Sequence, residues 1–270
     1  MTVATSDRRR PSWVTIIYMA SIHLAALPAL LPGNFSWSAV GVTAFLHWLT
    51  GCLGVTLGFH RLVSHRSFQA PKWLEYFLIF CGSLSAQGGP IRWIGLHRLH
   101  HKHSDTSRDP HDSNRGFWFS HMAWMLFEIP IEVEVPRCTK DISGDRFYQC
   151  CQKYFVLLQV ALGLLLFAIG GWSWVVWGVF VRLVLVFHCT WLVNSATHQF
   201  GYQSHDSNDD SRNCWWVALL TYGEGWHNNH HAFQYSARHG LRWWELDVTW
   251  GIILLLQWLG LAKNVKIARP

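Results

Sequence analysis

Histidine dominates the chemistry available to this 270-residue chain: there are 17, against 16 acidic residues. Two segments repeat the pattern HxxHH, at His97, His100, His101 and at His227, His230, His231. Positions i, i+3 and i+4 share one face of a helix, so each segment can aim three imidazoles into one pocket. A third segment, His60 to His65, has the spacing HxxxxH. On a regular helix those two rings stand about 140° apart, so they share a site only if the helix loosens or ends there. His198, with Asn194 one turn earlier, completes a set of nine imidazoles. Nine exceed the four ligands of a zinc site and suit two metal ions with four or five nitrogens each. Imidazole serves zinc, copper, iron and nickel, so ligand type alone leaves the metal open.

Metal-bound imidazoles hand their second N–H to a carboxylate or carbonyl. Asp105, Asp109, Asp112 and Glu224 lie near the clusters and are candidates for that role, while Asn228 and Asn229 can shape the third cluster. The other histidines (His23, His47, His103, His111, His121, His188, His205 and His239) are expected to be packed or solvated, with His103 and His111 closest to a supporting role.

These side chains must be carried by elements suited to lipid. Only 14% of residues are charged and 50% are hydrophobic, which excludes disorder, a coiled coil and a small disulfide scaffold. Residues 12–31 and 37–59 carry no formal charge, nor do 154–171, and 172–194 is broken only by Arg182. Each is long enough to cross about 30 Å of hydrocarbon. The runs 76–87 and 249–262 are shorter and read as interfacial, re-entrant or packed helices. The expected fold is all-α and integral to the membrane. Four transmembrane helices form two hairpins under a helical cap, residues 60–153 and 195–270, that holds a dinuclear metal site, the whole being one domain over 1–270. Arg8, Arg9 and Arg10 precede the first apolar run, but that run is too long for a secretory signal and a second span follows closely.

Every basic residue except Arg182 falls on one side of these spans. The positive-inside rule makes that side cytoplasmic, together with both termini and the metal site. The net charge of +6 is then a one-sided basic face, suited to anionic headgroups or an acidic partner. No basic helix or stacking module supports nucleic-acid binding. Seven cysteines without CxxC spacing give no expectation of a disulfide or a thiolate metal site.

The order HxxxxH, HxxHH, HxxHH resembles the membrane fatty-acyl desaturases, a family of histidine-box enzymes. Gly58-Phe-His60-Arg-Leu-Val-Ser-His65, the stretch from Gly95 to Asp105, Asp109-Pro-His111-Asp112, and the stretches from Trp191 to His198 and from Gly223 to His231 are similar to the delta-9 branch. Residues 212–220 and 234–239 look closest to cyanobacterial acyl-lipid delta-9 desaturases, and the resemblance runs from about Trp13 to Lys266.

That resemblance implies two irons held by the nine histidines, with Asn194 approaching a metal through water and Asp105, Asp109 and Glu224 behind the ligands. It implies oxygen-dependent removal of two hydrogens, giving a cis double bond between carbons 9 and 10 of a saturated, glycerolipid-linked acyl chain in the plasma or thylakoid membrane. A kinked acyl tunnel is expected at Gln87, Trp93 and Thr190, with Trp48 closing its far end. No His-Pro-Gly-Gly heme motif of a fused cytochrome domain is present, so electrons are expected from a separate protein, a ferredoxin. The competing readings are an acyl-thioester desaturase, a hydroxylase or ketolase of the same superfamily and, from another class, a membrane metal-binding or transport protein. The last would need polar groups along the spans, and these are scarce.

Overall fold

The computed structural model describes residues 10–269, so Arg8 and Arg9 of the basic N-terminal tail lie outside the described residues. The described residues form an all-helical structure with only isolated β-bridges. In order, the helices are α1 (Trp13–Ala26), α2 (Trp37–His47), α3 (Lys72–Ser83), α4 (Pro90–His103), α5 (Phe117–His121), α6 (Val135–Cys138), α7 (Arg146–Val175), α8 (Arg182–Ser195), α9 (Trp215–Leu220), α10 (His227–Ala232) and α11 (Val248–Trp258). Two π-helical segments, Trp48–Ser64 and Val176–Val181, continue α2 and lead into α8.

Three helical stretches are long and apolar enough to cross a membrane: Trp13–Leu30, Trp37–Ser64 and Arg146–His198. In α1 only Ile22 is buried, and large side chains such as Trp13, Val14, Ile17 and Leu24 stay exposed. Such a surface would be unfavourable in water and is at home in hydrocarbon. Pro28 and Pro32 lack an N–H, and the regular helix has already given way to short 3-10 turns where they stand.

The sequence divides 154–194 into two spans, whereas by length and composition the third stretch is a single run of 53 residues. Its backbone breaks at Gly171, with φ 66° and ψ −161°, a conformation that a side chain would strain. The chain folds back there. Arg182 Nη2 donates to Gln159 Oε1 at 2.8 Å, although a straight helix would separate them by about 34 Å. α7 also starts at Arg146, eight residues before the hydrophobic run, because Asp145 accepts from Phe147 N at 2.9 Å and caps it.

The second span is the element that decides where the histidines go. It runs past the expected Phe59 to Ser64 and is π-wound over its last 17 residues. His65 N donates to His60 O, five residues back, at 3.1 Å. At about 4.4 residues per turn, positions five apart stand about 50° apart, against the 140° expected on a regular helix.

α3 braces this segment. It buries Leu74, Leu78 and Ile79 and leaves Trp73, Phe77 and Phe80 exposed, as an interfacial helix would. α11 likewise buries Thr249 and Ile253 and exposes Leu254, Leu255 and Trp258. The π segment and α3 touch backbone to backbone at Gly54, where a Cβ would stand 2.3 Å from Gly82 N. Gly54→Val therefore has no flexible neighbour to displace. It should cost about 1–3 kcal/mol, seen as a lower melting temperature of the purified protein. Gly41→Ala, which meets nothing within 4 Å, should leave the melting temperature unchanged or raise it slightly.

Candidate metal centre

Four elements deliver the nine histidines. α4 begins on Gly89 and Pro90, Pro being suited to a first helical turn, and carries His97, His100 and His101 on one face. The end of the π segment carries His60 and His65, and a 3-10 turn after α8 carries His198. α10 is only six residues long and cannot hold itself. Its asparagines fix it instead. Asn228 Oδ1 accepts from Ser204 N and His205 N at 2.7 and 2.9 Å. Asn229 Nδ2 donates to His239 O and Glu245 Oε2, both at 2.9 Å.

The imidazoles fall into two groups. His60, His65, His97, His101 and His230 offer ligand atoms within 4.8 Å of one another, and His100, His198, His227 and His231 form the second such set. The Nε2 atoms face each other: His65 to His97 at 2.7 Å, His101 to His230 at 2.9 Å, His60 to His230 at 3.1 Å. In the second set His198 and His227 stand at 3.2 Å and His100 and His231 at 3.3 Å.

Whether these sites fit metal ions can be tested from the opposite ring nitrogens. His100 Nδ1 lies 2.9 Å from Asp109 Oδ2 and His231 Nδ1 lies 2.5 Å from Asp209 Oδ2. A carboxylate accepts, so both rings carry a proton on Nδ1, and as neutral ligands each turns a bare Nε2 lone pair toward the other. Two lone pairs 3.3 Å apart repel unless a cation lies between them. Two nitrogens bound at right angles to one ion at about 2.1 Å would stand about 3.0 Å apart, so the spacings fit shared coordination. The residues therefore suit two metal ions.

The side chains of the supporting carboxylates are largely buried. Glu224 Oε2 accepts from His60 Nδ1 at 2.7 Å, and Asp105 Oδ2 lies 3.0 Å from His198 Nδ1. Burial alone would raise these carboxyls. The imidazole partners overcome it and hold Asp105, Asp109 and Asp209 well below the ordinary range, with Glu224 lowered by His60 and Arg61 together. Burial and neighbouring imidazoles keep His65, His97, His101, His227 and His230 far below the usual histidine value, hence neutral and able to ligate. His231 is lowered to about 4 by burial, against the pull of Asp209.

The expected supporting roles of Asp105, Asp109 and Glu224 thus have matching geometry. Asp112 does not: it accepts from Asn114 N at 3.0 Å and shapes the 3-10 turn Ser113–Arg115. The His111 ring packs with its centroid 4.2 Å from that of His100, whereas His103 sits outside both groups. Two neighbours of the site carry no signal in the sequence. Asp209 arrives from a polar loop whose composition says nothing of a ligand. His239, expected as a bystander, is buried with Nδ1 3.2 Å from Glu224 Oε2 and its ring 4.4 Å from that of His230.

Two cavities meet beside the histidines and share Trp93, His97, Thr190 and Asn194 as walls. The wider, about 410 Å³, lies among α1, α4, α7 and α8. The narrower, about 60 Å³, runs from His60, His97, His100 and His227 toward His47, Gly51 and Tyr222. Their junction is pinned by Gln87, which donates to Thr190 Oγ1 at 2.8 Å and accepts from Trp93 Nε1 at 3.2 Å.

Trp48, expected at the far end of the tunnel, is not among the walls of either cavity; its ring packs 6.1 Å from Phe45. His47, Gly51, Thr56 and His60 line the narrow cavity at intervals of four to five, the π period, with Val55 beside Thr56, and Trp48 lies one residue off that stripe. His47 and Tyr222, both in the wall of the narrow cavity, are joined Nδ1 to OH at 2.6 Å.

Removing a supporting carboxylate should loosen the metal without unfolding the cap. Asp209→Asn should weaken metal retention about 10–100-fold, measured as metal per protein after dialysis against a graded chelator.

The family model for fatty acid desaturase matches residues 35–254. An sn-1 stearoyl-lipid 9-desaturase of Anabaena variabilis is 64% identical over 268 residues, 99% of this chain and 98% of that protein. A protein of the same description from Synechocystis sp. is 65% identical over 257 residues, covering 95% and 81%. An sn-2 palmitoyl-lipid 9-desaturase of Nostoc sp. is 50% identical over 262 residues, covering 96% and 91%. With histidines grouped at the junction of two cavities, and with these matches over nearly its whole length, the chain belongs to the fatty acid desaturase family.

Proposed function

We propose that the protein is an acyl-lipid delta-9 desaturase that converts a saturated acyl chain, with O2, two electrons and two protons, into the cis-9 alkene and two waters. The observation that carries this reading is the pair of cavities that share Trp93 and Thr190, residues joined through Gln87, beside two sets of facing imidazole nitrogens. The relatives described as stearoyl-lipid and palmitoyl-lipid 9-desaturases supply the position and the lipid carrier.

His60, His65, His97, His101 and His230 would hold one iron and His100, His198, His227 and His231 the other, with Asn194 acting through water. The irons would supply oxygen activation and the oxidising power to break two unactivated C–H bonds. This chain's own residues do the rest. The cavity junction bends the chain so that adjacent carbons lie beside the histidines, and its largely apolar wall keeps water from the reacting methylenes. Asp105, Asp109, Asp209 and Glu224 hold the Nδ1 protons, which keeps each Nε2 aimed inward.

Trp13–Leu30, Trp37–Ser64 and the two limbs of Arg146–His198 would give four crossings in two hairpins, with the rest of the single domain as cap. The basic residues then put cap, metal centre and termini on the cytoplasmic side. Electrons would come from a separate acidic carrier of the ferredoxin type, which suits the net charge of +6.

Expression with a ferredoxin system in a host that lacks the activity, followed by mapping of double bonds in extracted lipids, tests the reading. A cis-9 monoene is expected; a hydroxylated product, or no product from iron-loaded protein, overturns it. His100→Ala should abolish product and lower bound metal, while His23→Ala, remote from both histidine sets, should retain product. Gly51→Leu should shorten the preferred chain, read from the ratio of 16- to 18-carbon monoenes. Trp48→Ala should leave that ratio unchanged.

A further inference from the structure

The wider cavity has a mouth whose surroundings say what enters it. On α1 the wall includes Val14 and Thr15, with Ser12 just before the helix; on α7 it includes Gln152 and Val156; α4 adds Arg92. Val14 and Val156 are exposed, and each continues a row of exposed apolar side chains on its own helix. The gap between α1 and α7 therefore faces hydrocarbon rather than water. The polar members lie at the level of Trp13 and Tyr154, where aromatic rings mark a span's end and the headgroup layer begins.

The polar members offer donors. Arg92 is held by Glu132, Nε to Oε1 at 2.5 Å and Nη2 to Oε2 at 3.3 Å, which leaves Nη1 beside Gly88. Gln152 gives its Oε1 to Arg92 N at 3.0 Å, so its Nε2 is turned free, without a partner among the described residues. Ser12 and Thr15 share one hydroxyl contact at 2.9 Å, and two hydroxyls so joined retain a hydrogen to donate. Donors suit ester and glycerol oxygens, which only accept or accept readily. A thioester carrier bearing several phosphates would need a basic funnel, and the one guanidinium at this mouth already has a carboxylate partner.

Helix α4 also fixes a length. Arg92 stands five residues before His97 and eight before His100, about 7.5 and 12 Å along the axis. Eight bonds of an extended chain, from the ester carbon to carbon 9, span about 10 Å at roughly 1.25 Å per bond of a zigzag. An ester held at Arg92 thus brings carbon 9 level with the histidine face of the same helix.

We propose that the rim of Ser12, Thr15, Arg92 and Gln152 binds the ester end of a membrane glycerolipid that enters sideways between α1 and α7, and that α4 measures carbon 9 from it. This rests on the desaturase reading above and specifies how that reading's substrate is held.

The test uses the purified full chain in phosphatidylcholine nanodiscs with two photoreactive stearoyl glycerolipids, one with a diazirine near the ester and one near the methyl end. Mapping after illumination should place the ester-end probe on 12–19, 86–93 and 152–156, and the methyl-end probe on 47–56 and 220–222. Unlabelled stearoyl glycerolipid should compete and stearoyl-CoA should not. Thr15→Trp and Val156→Trp should each cut labelling by both probes about tenfold, while Leu164→Trp, exposed on α7 away from the mouth, should not. Melting temperature and metal content establish that each variant is folded. Ester-end labelling beside His47 and Tyr222, equal competition by stearoyl-CoA, or full labelling of folded Thr15→Trp and Val156→Trp protein overturns the proposal. Wild-type lipid analysis separates the two readings. A cis-9 monoene with failed mapping removes only the mouth assignment, whereas correct mapping with no monoene removes the reaction and leaves the mouth standing.

Discussion

Nitrogen lone pairs that face one another across about 3 Å in a buried space are the constraint around which the rest of the protein is arranged. Left to themselves, the nine imidazoles would turn away or take up protons. Four of them are held inward by a partner behind the ring. Carboxylates do this for His60, His100, His198 and His231. Those carboxylates are placed in turn. Arg61, fully buried, donates to Glu224 Oε1 at 3.0 and 3.1 Å, to Asp247 Oδ2 at 2.9 Å and to Ala237 O at 2.8 Å. One guanidinium thereby ties the second span, the third histidine cluster and the start of α11 together, and Asp247 also caps α11 through Trp250 N at 2.9 Å. Removing one partner of such a buried network is costly because it strands the other charges.

The π-wound stretch explains how one helix both lines a cavity and supplies histidines to a cluster. A period near 4.4 gathers His47, Gly51, Val55, Thr56 and His60 into one stripe and brings His65 round to the same side. A regular helix would scatter these six residues over several faces. The cost is weaker and longer-range backbone hydrogen bonding, which the surroundings must offset. Thr50 and Thr56 return their hydroxyls to the carbonyls four residues back, both at 2.7 Å, and α3 presses against the segment through Gly54 and Gly82.

What can be read in the sequence follows from range. The HxxHH faces need only helical geometry within five residues, so the six histidines on α4 and α10 are legible as two converging sets. The HxxxxH pair carries its own condition, a loosened helix, and the structure meets it. Apolar runs locate the spans but misjudge their ends, because Asp145 capping and the extension to Ser64 lie outside the hydrophobic window. Asp209 is out of reach, since its distance from His231 is set by how the 204–212 loop folds back onto α10. The π period, which no local pattern announces, puts His47 rather than its neighbour Trp48 on the stripe that lines the narrow cavity.

Arg182, buried in the middle of the last apolar stretch, joins these parts. In hydrocarbon an unpaired guanidinium would be prohibitive, and among the described residues it has no carboxylate at hand. It donates to Leu84 O at 2.6 Å, Gln159 Oε1 at 2.8 Å and Gly178 O at 3.1 Å, so its donors are met by dipoles. Leu84 ends α3, where the carbonyls of the last turn make a negative pole that favours a cation. Gln159 Nε2 reaches the same carbonyl at 2.9 Å. Three residues later comes Gln87, whose amide pins the junction of the two cavities. The hairpin turned at Gly171 brings Gln159 and Arg182 together, that pair anchors the end of α3, and the anchored turn sets where the two cavities meet. A group that looks like a defect in an apolar span is thus what connects the fold of the spans to the position of the chemistry.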